Sequence, residues 1–334
     1  FGAPLALEAL LAFFLESTFL GLWIFGWDRL PKKVHLATIW IAAIGTMVSA
    51  IFILAANSFM QNPVGATYNP LTDRAEMTDF VAVLTNPVFL ATFPHTISAA
   101  YMTAAGFILA VSGWHLMKLN RPATEAEGDE SATAVAATNS KREQSIAAHR
   151  FAATFAAIAM LVSGVGLVIT GDESGKIMTQ VQPMKMAAAE ALFDTTKNAS
   201  FSVFTIGNLD GTQAVWEFRI PGLLSMLSGE EEVQGINDLR EQFAEQGFLQ
   251  NDGTQHTLQQ QRAAHIAEAY PGLDPAPNIP VSYWSFRLMI GLGMIGTVLA
   301  ALTLWVLRKD RLPKAGPLDR KSTRLNSSHA NVSR

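Results

Sequence analysis

Apolar and polar positions along this chain fall in long blocks rather than at the short periods of a water-soluble fold. Five apolar runs stand out, roughly Phe1 to Phe25, His35 to Ser58, Phe93 to Met117, Ile146 to Thr170 and Tyr283 to Leu307. Each has about 20 to 25 residues, enough for a helix to cross a hydrocarbon layer of about 30 Å. Tryptophans mark their edges: Trp23, Trp27, Trp40, Trp114, Trp284 and Trp305 sit near expected interfaces, where amphipathic rings are favoured. The small, Gly-rich run Ile290 to Gly296 suits close helix packing. The pattern predicts an all-α fold, a polytopic transmembrane helix bundle of five spans with a large external loop.

Residues 1–117 hold spans one to three, 118–145 a flexible linker, 146–170 span four, 171–281 the large loop, and 282–308 span five. Lys and Arg sort the connections by side. Arg29, Lys32 and Lys33 follow span one. Lys118, Arg121, Lys141, Arg142 and Arg150 lie between spans three and four, and Arg308, Lys309, Arg311 and Lys314 follow span five. The connection 59–92 has only Arg74, and the loop 171–280 has 15 Asp and Glu against 6 Lys and Arg. The basic connections alternate with the poor ones, which puts the ends of spans one, three and five in the cytoplasm and the long loop outside. The linker 122–145, rich in Ala, Thr and Glu, reads as flexible. Residues 309–334 read as a cytoplasmic end with a non-native tail, because KSTRLNSSHANVSR from Lys321 shares nothing with the rest in composition. With no Met at its start and no basic region before the first apolar run, the chain shows no signal peptide and is expected to be a fragment.

Composition supports the membrane reading. The 334 residues are 49% hydrophobic and only 16% charged, with a mean hydropathy of +0.23; globular domains are nearer a quarter charged. The absence of cysteine excludes disulfides, thiolate metal sites and thiol catalysis. A net charge of -4 gives no sign of a nucleic-acid partner. No P-loop, Rossmann glycine pattern, CxxCH or HExxH is present.

Candidate chemistry begins in the first span, which carries Glu8 and Glu16. A carboxylate at bilayer depth is costly unless paired, protonated or wetted, which makes it a functional-site candidate. Eight residues of helix advance about 12 Å and turn about 80°, so the two could line one path. Ser17, Ser49 and Asn57 could extend it as a relay, or serve helix packing. His95 and Met289 lie at similar depth on separate spans and could ligate a haem iron from its two faces; equally, the His could bond a neighbour and the Met simply pack. Arg287 needs an anionic partner such as a haem propionate, or snorkels to the interface. Lys185 and Glu190, five residues apart on an expected amphipathic helix in the loop, could bind a quinol headgroup and take its protons, or form a solvated face. A proton- or ion-coupled transporter using Glu8 and Glu16 is the alternative. It explains the carboxylates but not Lys185, Glu190 or the pairing of His95 with Met289.

The stretches PLALEALLAFFLESTFLGLWIFGWDRL, SAIFILAANSFMQNPVG, NPVFLATFPHTISAAYMTAAGFIL, GDESG, VQPMKMAAAEA and FRLMIGLG resemble subunit I of the bacterial cytochrome bd quinol oxidases. The resemblance covers about residues 1 to 310, apart from the linker and the middle of the loop. It implies a multi-pass protein of the bacterial cytoplasmic membrane. Such a protein oxidises ubiquinol or menaquinol at the outer face and reduces O2 with cytoplasmic protons, beside a subunit II and a small accessory subunit. By the resemblance His95 and Met289 ligate a low-spin haem b, Arg287 lies beside it, and Lys185 and Glu190 form the quinol site. Glu8 belongs to the oxygen-reducing pair, a high-spin haem b and haem d, and Glu16, Ser17 and Ser49 to its proton route. The resemblance also implies that a His and a Glu ligand of that pair lie outside this sequence, leaving the oxygen site incomplete, and that the external loop is of the shorter type.

Overall fold

The computed structural model describes residues 2–69, 72, 74–120, 132–208, 213–246, 272 and 274–308, and statements of absence below concern these residues. Five helices are long and apolar enough to cross a membrane: α1 (Gly2–Phe25), α2 (Lys32–Gln61), α4 (Pro87–Leu119), the stretch Asn139–Val181 of α5 (Ala132–Val181), and α9 (Ile279–Leu307). The short helix α3 (Phe80–Leu84) precedes α4. Little of these spans is buried within the chain, and most of their apolar surface stays exposed.

Four of the five spans overrun their expected ends. α5 begins at Ala132, so the second half of the stretch expected to be a flexible linker is helical, while 121–131 lies outside the described residues. It also continues to Val181, carrying the GDESG stretch as helix rather than as the opening of a loop. The physical reason is that nothing stops it. Two glycines spaced by polar residues cost a helix only about 1 kcal/mol each, whereas Pro183 cannot continue the backbone ladder.

The chain divides into two compact units, Phe1–Ile97 with Val168–Ile290, and Ser98–Leu167 with Gly291–Arg334. In the first, α1 and α2 form a helical hairpin. The Leu30 amide donates to the Gly26 carbonyl (2.9 Å), closing α1, and Pro31 then starts α2, its fixed φ suiting a helix entrance. The helices touch where α2 offers no side chain. A Cβ on Gly45 would lie 2.8 Å from Leu15 Cδ2 and 3.2 Å from the Glu16 amide nitrogen. Beyond α2, Gly65 takes φ +68°, a conformation glycine adopts freely. It turns the chain into the hairpin β1 (Ala66–Asn69) and β2 (Arg74–Met77). The Asp79 carboxylate accepts from the Val81 and Ala82 amides to cap α3.

The long loop is organised around α6 (Pro183–Glu190). Every residue from Met186 to Phe193 is buried, and Met184 with them. One side packs on α8 (Ile236–Gln246) and the start of α9 through Met184, Ala187, Ala188, Ile236, Leu239, Ile279 and Tyr283. The other packs through Met186 and Leu192 on Leu224 of α7 (Leu223–Ser228) and Val233. The expected amphipathic patch Ile236 to Phe248 is helical to Gln246, with Phe248 outside the described residues. Two small sheets were not legible beforehand. β3 (Thr196–Lys197) pairs with β6 (Glu232–Val233), and β4 (Phe201–Gly207) with β5 (Ala214–Ile220), both antiparallel. They decorate a helical protein and leave the all-α assignment intact.

In the second unit, Met102, Ala105, Ala156, Ala157, Met160 and Ala300 form the core. A Cβ on Gly296 would come within 2.9 Å of Met102 and 3.0 Å of Met160, and one on Gly164 within 2.4 Å of Thr297. Gly291 and Gly293 meet nothing within 4 Å, so of the Gly-rich run only Gly296 serves a tight contact. Replacing Gly45 by alanine should force α1 and α2 apart and cost about 1–3 kcal/mol. Thermal unfolding of Gly45→Ala beside Gly291→Ala should show a loss confined to the first.

Candidate functional site

Two polar clusters lie within otherwise apolar surroundings, both in the first unit. The first is in the α1–α2 hairpin. From Glu8 to Phe13 the α1 helix widens into a π-helix, a distortion common at functional sites. The Ser49 hydroxyl of α2 donates to Glu8 Oε1 at 2.9 Å. The expected relay is therefore joined at Glu8 and Ser49. Ser17 is not part of that bond network, because its hydroxyl donates back to the Phe13 carbonyl of its own helix (2.8 Å). Glu16 is half-buried beside Gly45, with no side-chain hydrogen bond among the described residues. Asn57 accepts from Gln61 on its own helix (2.7 Å) and does not extend the path.

The second cluster joins the loop to α9. α6 ends at Ala191, which takes φ 46° in the left-handed region, and this turn leaves Glu190 pointing into the protein at 1% exposure. Arg287 Nη2 donates to Glu190 Oε2 at 2.6 Å, a charge-assisted bond between two buried groups. The guanidinium also lies against the Phe201 and Tyr283 rings, 4.6 and 4.8 Å from their centroids. Glu190 accepts the Ser202 amide as well (3.3 Å), and the Ser202 hydroxyl bonds Thr205 (2.6 Å) and Tyr283 (2.8 Å). Burial pushes the Glu190 carboxyl above the ordinary carboxylate range. Arg287, the Ser202 amide and Arg219 pull it partly back.

This corrects the expectation for Arg287, whose head does not snorkel to the interface. It also separates Lys185 from Glu190. Five residues of helix turn about 140°, so Lys185 points out of α6, where its ammonium donates to Gln61 Oε1 (3.1 Å). The Gln182 amide group donates to the Gln61 carbonyl (3.1 Å), pinning the start of α6 on the end of α2. Partial desolvation lowers the Lys185 pKa from its ordinary value. Lys185 and Glu190 therefore mark two sides of one short helix rather than one shared face.

His95 follows Pro94, which cannot donate to the Leu90 carbonyl and so loosens α4 just before the imidazole. Its Nδ1 hydrogen-bonds the Thr170 hydroxyl of α5 (3.0 Å). The bare Gly171 lets the ring sit close, since a Cβ there would be 3.4 Å from His95 Cε1. Among the described residues Nε2 has no partner, the arrangement of a ring oriented through one nitrogen to ligate through the other. Met289 is half exposed on α9, two residues past Arg287. Arg287 Nε and Nη1 are buried without a partner, which suits the carboxylate edge of a bound group. Among the described residues no three His, Asp or Glu converge to hold a bare ion. The groups here open to a further ligand are His95 Nε2 and the two unpartnered nitrogens of Arg287, which fit a metal-bearing group with an anionic edge, such as haem.

A family model for cytochrome bd terminal oxidase subunit I matches residues 1–328, running into the stretch expected to be a tail. A cytochrome bd ubiquinol oxidase subunit 1 of Bacillus subtilis (strain 168) is 37% identical over 313 residues, covering 93% of this chain and 57% of that protein. A cytochrome bd-II ubiquinol oxidase subunit 1 of Escherichia coli (strain K12) is 34% identical over 334 residues, covering 88% and 60%. The structure of bd oxidase from Geobacillus thermodenitrificans superposes with a TM-score of 0.67 at 26% identity, covering 93% of this chain and 58% of that one. The chain thus spans less than two thirds of the length of these relatives.

Breaking the buried pair from one side leaves a charge unpaired, at a cost of about 3–5 kcal/mol, while removing both partners costs less. Arg287→Met should therefore destabilise the protein more than the double variant Arg287→Met with Glu190→Leu. A double-mutant cycle on unfolding free energy measures the difference.

Proposed function

The chain belongs to the cytochrome bd terminal oxidase subunit I family, and from that premise we propose that it is the haem-carrying part of a quinol:oxygen oxidoreductase. It would act in the bacterial cytoplasmic membrane, with subunit II and a small accessory subunit as partners. The observation that carries the reading is the buried cluster at the root of the loop. There Glu190 and Arg287 bring together a carboxyl of raised pKa and an under-satisfied guanidinium, with Lys185 on the other side of α6.

His95 and Met289 would hold a low-spin haem b, with Thr170 fixing the imidazole and Arg287 meeting an anionic edge through its free Nε–H and Nη1–H groups. The haem supplies one-electron transfer between quinol and the oxygen site. Lys185, the one solvent-facing side chain of α6, would orient a quinol oxygen. Glu190 would take up a proton as the quinol is oxidised, the carboxylate becoming the neutral acid. Since the two side chains diverge, the quinol would reach them from different sides of α6, or α6 would turn on its Gln61 anchor.

Glu8 would face the oxygen-reducing pair, a high-spin haem b and haem d. The Ser49 hydroxyl would hold Glu8 in place, and Glu16 would pass protons from the cytoplasmic side. With protons released outside and taken up inside, charge separates across the membrane. The transporter alternative uses the same carboxylates, with His95 as a coupling site, but assigns no task to Lys185, Glu190 or the pairing of Met289 with His95.

In the full-length protein, His95→Ala and Met289→Leu should each abolish the low-spin haem band of the reduced visible spectrum. A band surviving both changes together would refute the assignment. Lys185→Ala and Glu190→Gln should lower quinol oxidation at least tenfold while haem content holds. Glu190 serves as a base only when deprotonated. Activity should therefore fall as pH drops through its raised pKa, at higher pH than an ordinary carboxylate requires, and Glu190→Gln should remove that acid limb.

A further inference from the structure

The β4–β5 hairpin is amphipathic in the unusual sense. Its protein-facing side is polar: Ser202 and Thr205 are buried, and Arg219 donates to the Ala191 carbonyl at 2.7 Å. The irregularity between Ser202 and Phe204 makes this possible. An extra residue, Val203, shifts the alternation, so that Ser202 and Thr205 share the inner side although three positions apart. The outward side is apolar. Phe204 pairs with Phe218 and Ile206 with Trp216, and Ile220 lies beyond them. Trp216 and Phe218 are 56% and 57% exposed. A one-sided sheet in water turns its polar face outward, and a contiguous exposed apolar patch marks an interaction surface.

The neighbours of the patch identify what covers it. Phe204 meets Trp216 edge-on at 5.5 Å and Trp284 at 5.0 Å. Trp284 belongs to the second turn of α9, the helix that enters the membrane at this point. Along α9, Val281, Trp284 and Leu288 are all exposed, at spacings of three and four residues, forming one stripe. Such a stripe is the face a spanning helix shows to lipid, and tryptophan favours the depth where headgroups meet chains. The hairpin continues the stripe through Phe204, and none of its outward paired residues carries a charge.

We propose that the outward face of the β4–β5 hairpin rests in the interfacial layer of the bilayer, beside the point where α9 enters. The loop is then a membrane-dipping element, with its polar side on the protein and its apolar side in lipid. The claim does not depend on what the site beneath it binds.

The chain has no cysteine, so Trp216→Cys and Phe218→Cys can each carry one nitroxide label in the full chain, within its complex in phospholipid nanodiscs. Cysteines of other subunits would be blocked beforehand. Lys197→Cys, on an exposed lysine of β3, serves as the water-facing reference. Collision with dissolved oxygen should exceed collision with a water-soluble nickel chelate at 216 and 218, with the order reversed at 197. Nickel access at 216 and 218 equal to that at 197 would overturn the proposal by placing the face in water. Low access to both reagents would overturn it by placing a protein partner there. A label-free check uses bromine on the lipid chains near the headgroup. Such lipids should quench the fluorescence that is lost on Trp216→Phe, and an unquenched Trp216 would count against the proposal.

Discussion

The contact between Glu190 and Arg287 is the joint on which the extramembrane part of this structure depends. Each charge is expensive to bury alone, and together they are held at 2.6 Å between the end of a loop helix and the first turns of a membrane span. The pair is not fully neutralised by hydrogen bonds. Two guanidinium nitrogens stay without partners, and burial still outweighs the arginine in setting the Glu190 carboxyl above its ordinary range. A purely structural ion pair gains stability by satisfying every donor, whereas one left partly open can accept a further anion or a proton. That partial openness links the packing of the loop to its proposed chemistry.

Around this joint the loop uses α6 as its core rather than as a surface helix. Alanine at 187, 188, 189 and 191 leaves room for neighbours on several sides, so α8, α7 and the start of α9 all close on it. Lys185 is the side chain left facing outward from the helix, and the end of α2 holds it through Gln61. The hairpin β4–β5 closes the remaining side with polar groups and leaves its apolar groups outward. The α1–α2 hairpin follows a similar economy. Gly45 removes a side chain so that the Glu16 backbone can approach, and Ser49, one turn along, supplies the hydroxyl that Glu8 requires.

Much of this was legible before any coordinates. Block hydropathy is a one-dimensional property of long helices, and the five spans fall where the apolar runs lie, though four of the five helices extend past their runs. The excess arises because polar residues such as those of GDESG do not end a helix, while Pro183 does. Of the residues singled out, Glu8 and Ser49 share one hydrogen bond, Glu190 and Arg287 share another, and His95 bonds Thr170. The glycines illustrate the limit of such reading: Gly291, Gly293 and Gly296 look alike in the chain, yet only Gly296 faces a neighbour.

The sequence by itself determined the membrane class, the number of long helices and the residues whose burial would need explanation. These follow from composition and from the cost of charge in an apolar medium. Tertiary structure alone decided the partners. A side chain's direction at the end of a helix depends on the turn that follows it, and a bond between residues 8 and 49, or 190 and 287, depends on how whole helices lie together. That is why Lys185 and Glu190 read as a pair along the chain and part company in space. It is also why Arg287, for which the chain allows either an anionic partner or the interface, is half of a buried pair with Glu190.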